Sequence, residues 1–157
     1  MIRVSVSALE KAPVTLTGTL PPEFLELGPE DLFAPAGEVE YRLIARLVSG
    51  GVLVSGTCRT TLRTTCGLCL REFVMPLAAQ PRLFFELTGE QEELEIGPDV
   101  RAELLLELPM NPTCRPDCRG LCPVCGADRN TRECACVPGA APGGASPWGA
   151  LDALELD

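Results

Sequence analysis

The chain has 157 residues, 46% apolar and 22% charged, with a net charge of −9; this fits one globular domain with a small appendage and excludes a simple basic nucleic-acid-binding module. It carries nine cysteines and no histidine, which excludes histidine general acid–base chemistry, Ser-His-Asp and Cys-His catalysis, and mixed Cys/His metal sites. The run Met1–Val14 has no continuous apolar stretch and reads as a strand, not a signal peptide, so a cytoplasmic setting with no membrane span is expected.

Residues 2–20 alternate loosely and break at Pro21-Pro22, and 23–27 predict a short helix. The clearest pattern is a hairpin over 39–48 and 52–65. Val39, Tyr41, Leu43, Ala45 and Leu47 share one face of its first strand, and Val52, Val54, Cys58 and Leu62 one face of its second. A two-residue Gly50-Gly51 turn would pair Leu43 with Cys58 and set Arg42 opposite Arg59, with Arg46 and Arg63 on the same outer face. These four arginines read either as an RNA-phosphate stripe or as a solvated face covered by the acidic segment 86–107; the solvated reading is preferred. The charges are segregated: six arginines face one glutamate between positions 42 and 82, and eight acids face Arg101 between 86 and 107.

Residues 70–77 and 81–87 predict two more strands, 89–99 an acidic loop, and 99–108 a helix capped by Asp99 and stopped by Pro109. The Pro/Gly/Ala-rich 137–149 predicts a flexible tail, with a helical turn in the final ALDALEL. The expected fold is therefore α+β: a twisted antiparallel β-sheet with one or two short helices and a small Cys-rich zinc-binding C-terminal lobe. Residues 1–110 form the β-rich domain, 111–137 the zinc lobe and 138–157 the tail.

The cysteines lie at 58, 66, 69, 114, 118, 122, 125, 134 and 136. An odd count without an export signal argues against disulfides and for metal. Cys122-Pro-Val-Cys125-Gly126 has the form of a zinc knuckle: the tight turn aims two sulfurs at one ion, and glycine after the second cysteine tolerates positive φ. Cys58, on the apolar strand face, is the odd thiol out. The other eight divide in two ways. In one, Cys66, Cys69, Cys114 and Cys118 form a site and Cys122, Cys125, Cys134 and Cys136 another. In the other, 114, 118, 122 and 125 stand together and 66, 69, 134 and 136 make the second. The first is preferred because each site receives one CxxC pair, although the close Cys134-Ala-Cys136 spacing leaves open whether both ligate. One or two Zn²⁺ per chain are expected. Cys66-Gly-Leu-Cys69 also has dithiol redox spacing, but no helix follows it, so an enzyme is not expected.

The run Leu108-Pro-Met-Asn-Pro-Thr-Cys114, followed by Cys118-Arg-Gly-Leu-Cys122-Pro-Val-Cys125-Gly126, closely resembles the YceD family, the large ribosomal RNA subunit accumulation proteins. The upstream CxxCL at 66–70 and the Ser146-Pro-Trp148 tail are similar too, while Leu68 stands where the family commonly has arginine. The resemblance implies a non-enzymatic factor for ribosome assembly and for accumulation or processing of large-subunit rRNA, with no small-molecule substrate. Its implied partners are ribosomal RNA or a large-subunit ribosomal protein within assembly particles. Family members that keep only the first CxxC and a later ligand pair imply the first partition. The alternatives are a generic zinc-ribbon interaction module without RNA and a CxxC thiol-redox protein.

Overall fold

A computed structural model describes residues 1–87 and 91–136; the expected tail and terminal helical turn lie outside them. The elements run β1 (Arg3–Ser5), α1 (Val6–Leu9), β2 (Val14–Leu20), a 3₁₀ turn (Pro22–Leu25), β3 (Phe33–Pro35), β4 (Val39–Val48), β5 (Gly51–Thr65), β6 (Glu72–Ala79), β7 (Arg82–Glu86), β8 (Glu93–Glu95) and α2 (Gly97–Leu106). The expected α+β class, with its antiparallel sheet and Cys-rich C-terminal region, is what forms.

The 15-residue β5 is the spine of a six-stranded antiparallel sheet. One edge takes β4 along residues 51–59 and then β3 along 62–64. The other takes β7 along 51–55 and then β6 along 58–65. β2 closes the far side of β4. Threonine is the commonest residue of β5, and the strand's period-two alternation buries Val52, Val54, Cys58, Thr60, Leu62 and Thr64 on one face.

That inner face is covered. β1 pairs with β8 in a separate two-stranded sheet, and its Val4 and Leu94, with the flanking Ile2 and Ile96, join Val100 and Leu104 of α2 in one cluster with Leu43, Val52, Val54 and Leu62. Each fully buried aliphatic side chain here contributes roughly 1.5–3 kcal/mol. Residues 93–95, expected as loop, are strand because Leu94 reaches this core and Arg3 meets Glu93 at 3.6 Å and Glu95 at 3.8 Å.

Three expectations are corrected. The hairpin turn is Ser49-Gly50, with Gly50 at φ +86°. Moving the turn by one residue moves every pair by two and leaves the faces unchanged. Tyr41, not Leu43, lies opposite Cys58; Arg42 lies opposite Thr57 and Arg59 opposite Glu40. Opposite charges thus replace the like-charged Arg42–Arg59 pair, a register that cross-strand electrostatics favours. Second, α2 starts at Gly97 with Ile96 as its cap residue and Pro98 in its first turn. Asp99 sits inside that turn, where its carboxylate complements the positive end of the helix dipole instead of capping. The helix ends at Leu106, two residues before Leu108, whose position ahead of Pro109 disfavours helical geometry. Third, the described residues of the acidic segment do not cover the arginines: β8 and α2 pack on the inner face, and Arg42, Arg46, Arg59 and Arg63 are exposed on the outer one.

Candidate metal centres

β5 delivers the first ligand by ending at Thr65, directly before Cys66. Cys66–Cys69 is then a tight turn into β6 and not a helix start: Leu70 N–H donates to Cys66 C=O at 3.0 Å and Cys66 N–H to Arg71 C=O at 2.9 Å. The second CxxC repeats this geometry. Gly126 N–H donates to Cys122 C=O and Cys122 N–H to Ala127 C=O, at 2.9 and 2.8 Å. The residue after each second cysteine is left-handed, Leu70 at φ +59° and Gly126 at φ +70°. Both knuckles therefore aim two sulfurs at one point, whatever follows them in the chain.

Cys66, Cys69, Cys114 and Cys118 form one quartet and Cys122, Cys125, Cys134 and Cys136 the other, with the sulfurs of each all within 4.8 Å of one another. Four sulfurs around a tetrahedral ion with Zn–S near 2.3 Å stand about 3.8 Å apart. In the first quartet, Cys66–Cys118 is 3.9 Å and Cys69–Cys114 is 3.7 Å. The donor set is all sulfur in a chain without histidine, and it is closed, with no position left for substrate. These residues fit zinc as a structural ion: when bound, it would tie the end of β5 to the strand-free segment after α2 and staple the C-terminal ribbon.

The electrostatics prepare thiolates at the head of each knuckle. Burial pushes the Cys66 thiol up, but main-chain groups of Cys114, Cys69 and Leu68 hydrogen-bond its sulfur and bring it down to about 6. Main-chain groups of Cys125 and Val124 lower Cys122 to about 6, against the opposing effect of its burial. Burial and the neighbouring sulfurs of Cys69, Cys118 and Cys66 push Cys114 up to about 12, and the Cys125 sulfur together with burial does the same to Cys136. Four thiols crowded this closely cannot all ionise without a cation among them. Cys58 is separate: it is fully buried on the inner sheet face, and burial alone raises it to about 11.

An outer layer holds the two quartets together, and sequence reasoning missed it. Asn130 accepts from Arg119 N–H at 2.9 Å and from Arg115 at 2.8 Å, and its amide donates to Asp128 at 2.7 Å and to the Cys118 sulfur at 3.5 Å. The other oxygen of Asp128 meets Arg71, which follows the first knuckle, at 3.3 Å. Leu121 N–H donates to Leu68 C=O at 2.9 Å and Gly67 N–H to Pro112 C=O at 2.8 Å. Only the Asp-x-Asn turn signal at 128–130 pointed this way in the sequence.

The fold and the sites define a class: an antiparallel β-sheet protein with two four-cysteine knuckle centres, the first of them at the end of its central strand. The model of the family described as large ribosomal RNA subunit accumulation protein YceD matches residues 54–155, and the chain belongs to that family. An uncharacterized Mycobacterium tuberculosis protein is 37% identical over 94 residues, which is 50% of this chain and 45% of the relative; a Mycobacterium bovis protein matches to the same extent. The Zea mays protein named large ribosomal RNA subunit accumulation protein YCED homolog 1, chloroplastic, is 40% identical over 48 residues, 30% of this chain and 16% of its own length. The matches span less than half the length of these relatives. No solved structure matches the chain. Among the described residues, no helix is long and apolar enough to cross a membrane.

Proposed function

We propose that the protein serves large-subunit ribosomal RNA accumulation or processing in the cytoplasm as a non-enzymatic binding factor, with two zinc ions stapling its fold. The observation that carries the reading is the open outer face of the sheet, where Arg42, Arg46, Arg59 and Arg63 stand exposed and have no ion-pair partner among the described residues. Family membership supplies the RNA, and this face offers guanidinium groups suited to phosphate oxygens. The acidic segment is already engaged in part, by Arg3 at Glu93 and Glu95, which makes it a poorer site for a basic ribosomal protein.

A thiol-redox role has one observation in its favour, the Cys66 thiol held at about 6. The same lowering at Cys122 marks it as a property of the knuckle. Cys66 is also fully buried, whereas an attacking thiolate needs access.

The test is capture of the tagged protein from cells after mild crosslinking, with co-purifying RNA and protein quantified against a mock-tagged control. Enrichment of large-subunit rRNA precursors is expected. Recovery of neither rRNA nor ribosomal protein would overturn the reading, and recovery of one ribosomal protein without RNA would replace it with a protein-chaperone role.

A further inference from the structure

Resting on that reading, we propose that the outer face of the six-stranded sheet binds single-stranded RNA laid along β5, with its phosphates on an arginine ladder and a base on Phe84. The register supplies the ladder. Arg46 lies opposite Leu53, Arg82 opposite Ser55 and Arg42 opposite Thr57, while Arg59 and Arg63 belong to β5 itself. Projected on β5, the five arginines stand at positions 53, 55, 57, 59 and 63. All have outward parity and all are exposed. Two residues of strand advance about 7 Å, so along β5 the first four arginines succeed one another at that step while alternating across β4, β7 and β5. Of the acids on this face, Glu86 opposite Gly51 and Glu72 opposite Thr65 stand at the two ends of the track, while Glu40, opposite Arg59, and Glu38, which lines the same cavity as Arg59 and Thr61, lie within it.

The apolar component sits beside the ladder. Phe84 is 51% exposed and lies opposite Leu53, the residue that also faces Arg46. Its ring lies over Gly51, with Cζ 2.9 Å from where a Cβ on that glycine would stand. A side chain there would meet the Phe85 carbonyl oxygen first and the Phe84 ring next, so glycine serves the β5–β7 pairing as well as the seat of the ring. Ile44 and Val74, 44% and 58% exposed, continue the apolar surface between arginines. Exposed aromatic and aliphatic groups set among unpaired arginines suit unstacked bases joined by phosphates. A-form duplex RNA presents its 2′-hydroxyls and phosphates and leaves no base free to reach Phe84. Sequence reading found four of the arginines; Arg82 and Phe84 join them only through the pairing of β7 with β5.

The experiment measures binding of zinc-loaded full-length protein to a fluorescently labelled, mixed-sequence, single-stranded 12-nucleotide RNA (about twice the length of the ladder), to the same sequence as a duplex, and to a polyglutamate peptide, across a salt series. The single strand is expected to bind in preference to the other two. Arg46→Glu and Arg82→Glu should each flatten the dependence of log affinity on log salt by about 0.7. Phe84→Ala should weaken the single strand about tenfold while Phe84→Tyr preserves it. Lys11→Glu, the same charge change off this face, should leave binding unchanged. Because these side chains are exposed, unaltered thermal unfolding of the variants is the accompanying control. Equal duplex binding insensitive to Phe84→Ala, preferred polyglutamate binding, or no RNA binding would each overturn the proposal. If rRNA is still captured from cells in those cases, the functional reading survives and only this surface assignment falls.

Discussion

The Asn130 side-chain amide donates to the Cys118 sulfur across 3.5 Å, so a residue in the turn between two ligands of the second quartet holds a ligand of the first. Hydrogen bonds to a ligating sulfur fix its direction and temper its charge, and losing one outer-layer partner typically costs ten- to a hundredfold in metal affinity. Asn130→Ala is therefore expected to weaken zinc at Cys66, Cys69, Cys114 and Cys118 by about tenfold. Chelator competition, with cobalt absorption reporting the sulfur environment, checks this. Loss confined to the second quartet would show that the contact does not support the first.

Leu70 and Gly126 hold the same place in the two knuckles, yet Leu70 is 65% exposed and carries a Cβ at φ +59°. Left-handed backbone costs an ordinary residue about 1–2 kcal/mol, and glycine gives back about 0.5–1 of that through unfolded-chain entropy. Leu70→Gly should raise stability by up to about 1 kcal/mol, and Gly126→Ala should lower it by a similar amount. Chemical denaturation of the zinc-loaded protein reads both changes.

Asp128 accepts from Asn130 main chain and side chain and faces Arg71, in that order of effect, and these contacts hold its carboxyl below the usual range. A depressed folded-state value means the contribution is complete above the unfolded value, 3.8, and is lost as pH falls through the folded one. Asp128→Asn should loosen the ribbon at neutral pH. It should also flatten the acid limb of the stability profile below about pH 4. An unchanged acid limb would remove Asp128 from that role.

Cys58 should stay unmodified when the native protein is treated with iodoacetamide at mildly alkaline pH, even after chelation opens the other eight thiols. It is fully buried and its thiol is raised to about 11, so the reactive thiolate is scarce. Peptide mass spectrometry gives the count, and early labelling of Cys58 would mean that the sheet opens together with the metal sites.

The facing of the hairpin was legible in the sequence because alternation has a period of two, and Leu43, Val54, Cys58 and Leu62 are all buried as that pattern requires. Its register was not, since shifts of two residues keep every side chain on the same face. The knuckle at 122–126 was legible from spacing and glycine alone. Its counterpart at 66–70 was harder to place, because Leu70 gives no sign of its left-handed backbone.

By itself the sequence determined the local geometries: which residues face the core, where two sulfurs converge within one turn, and that any metal must be held without imidazole. Each follows from bond angles and the spacing of a few adjacent residues. The tertiary structure alone decided what the chain path brings together: the division of eight cysteines into two quartets, Asn130 between them, and five arginines on one exposed face of the sheet. Those relationships join residues from separate strands and loops, and local spacing carries no record of which distant segment will lie alongside.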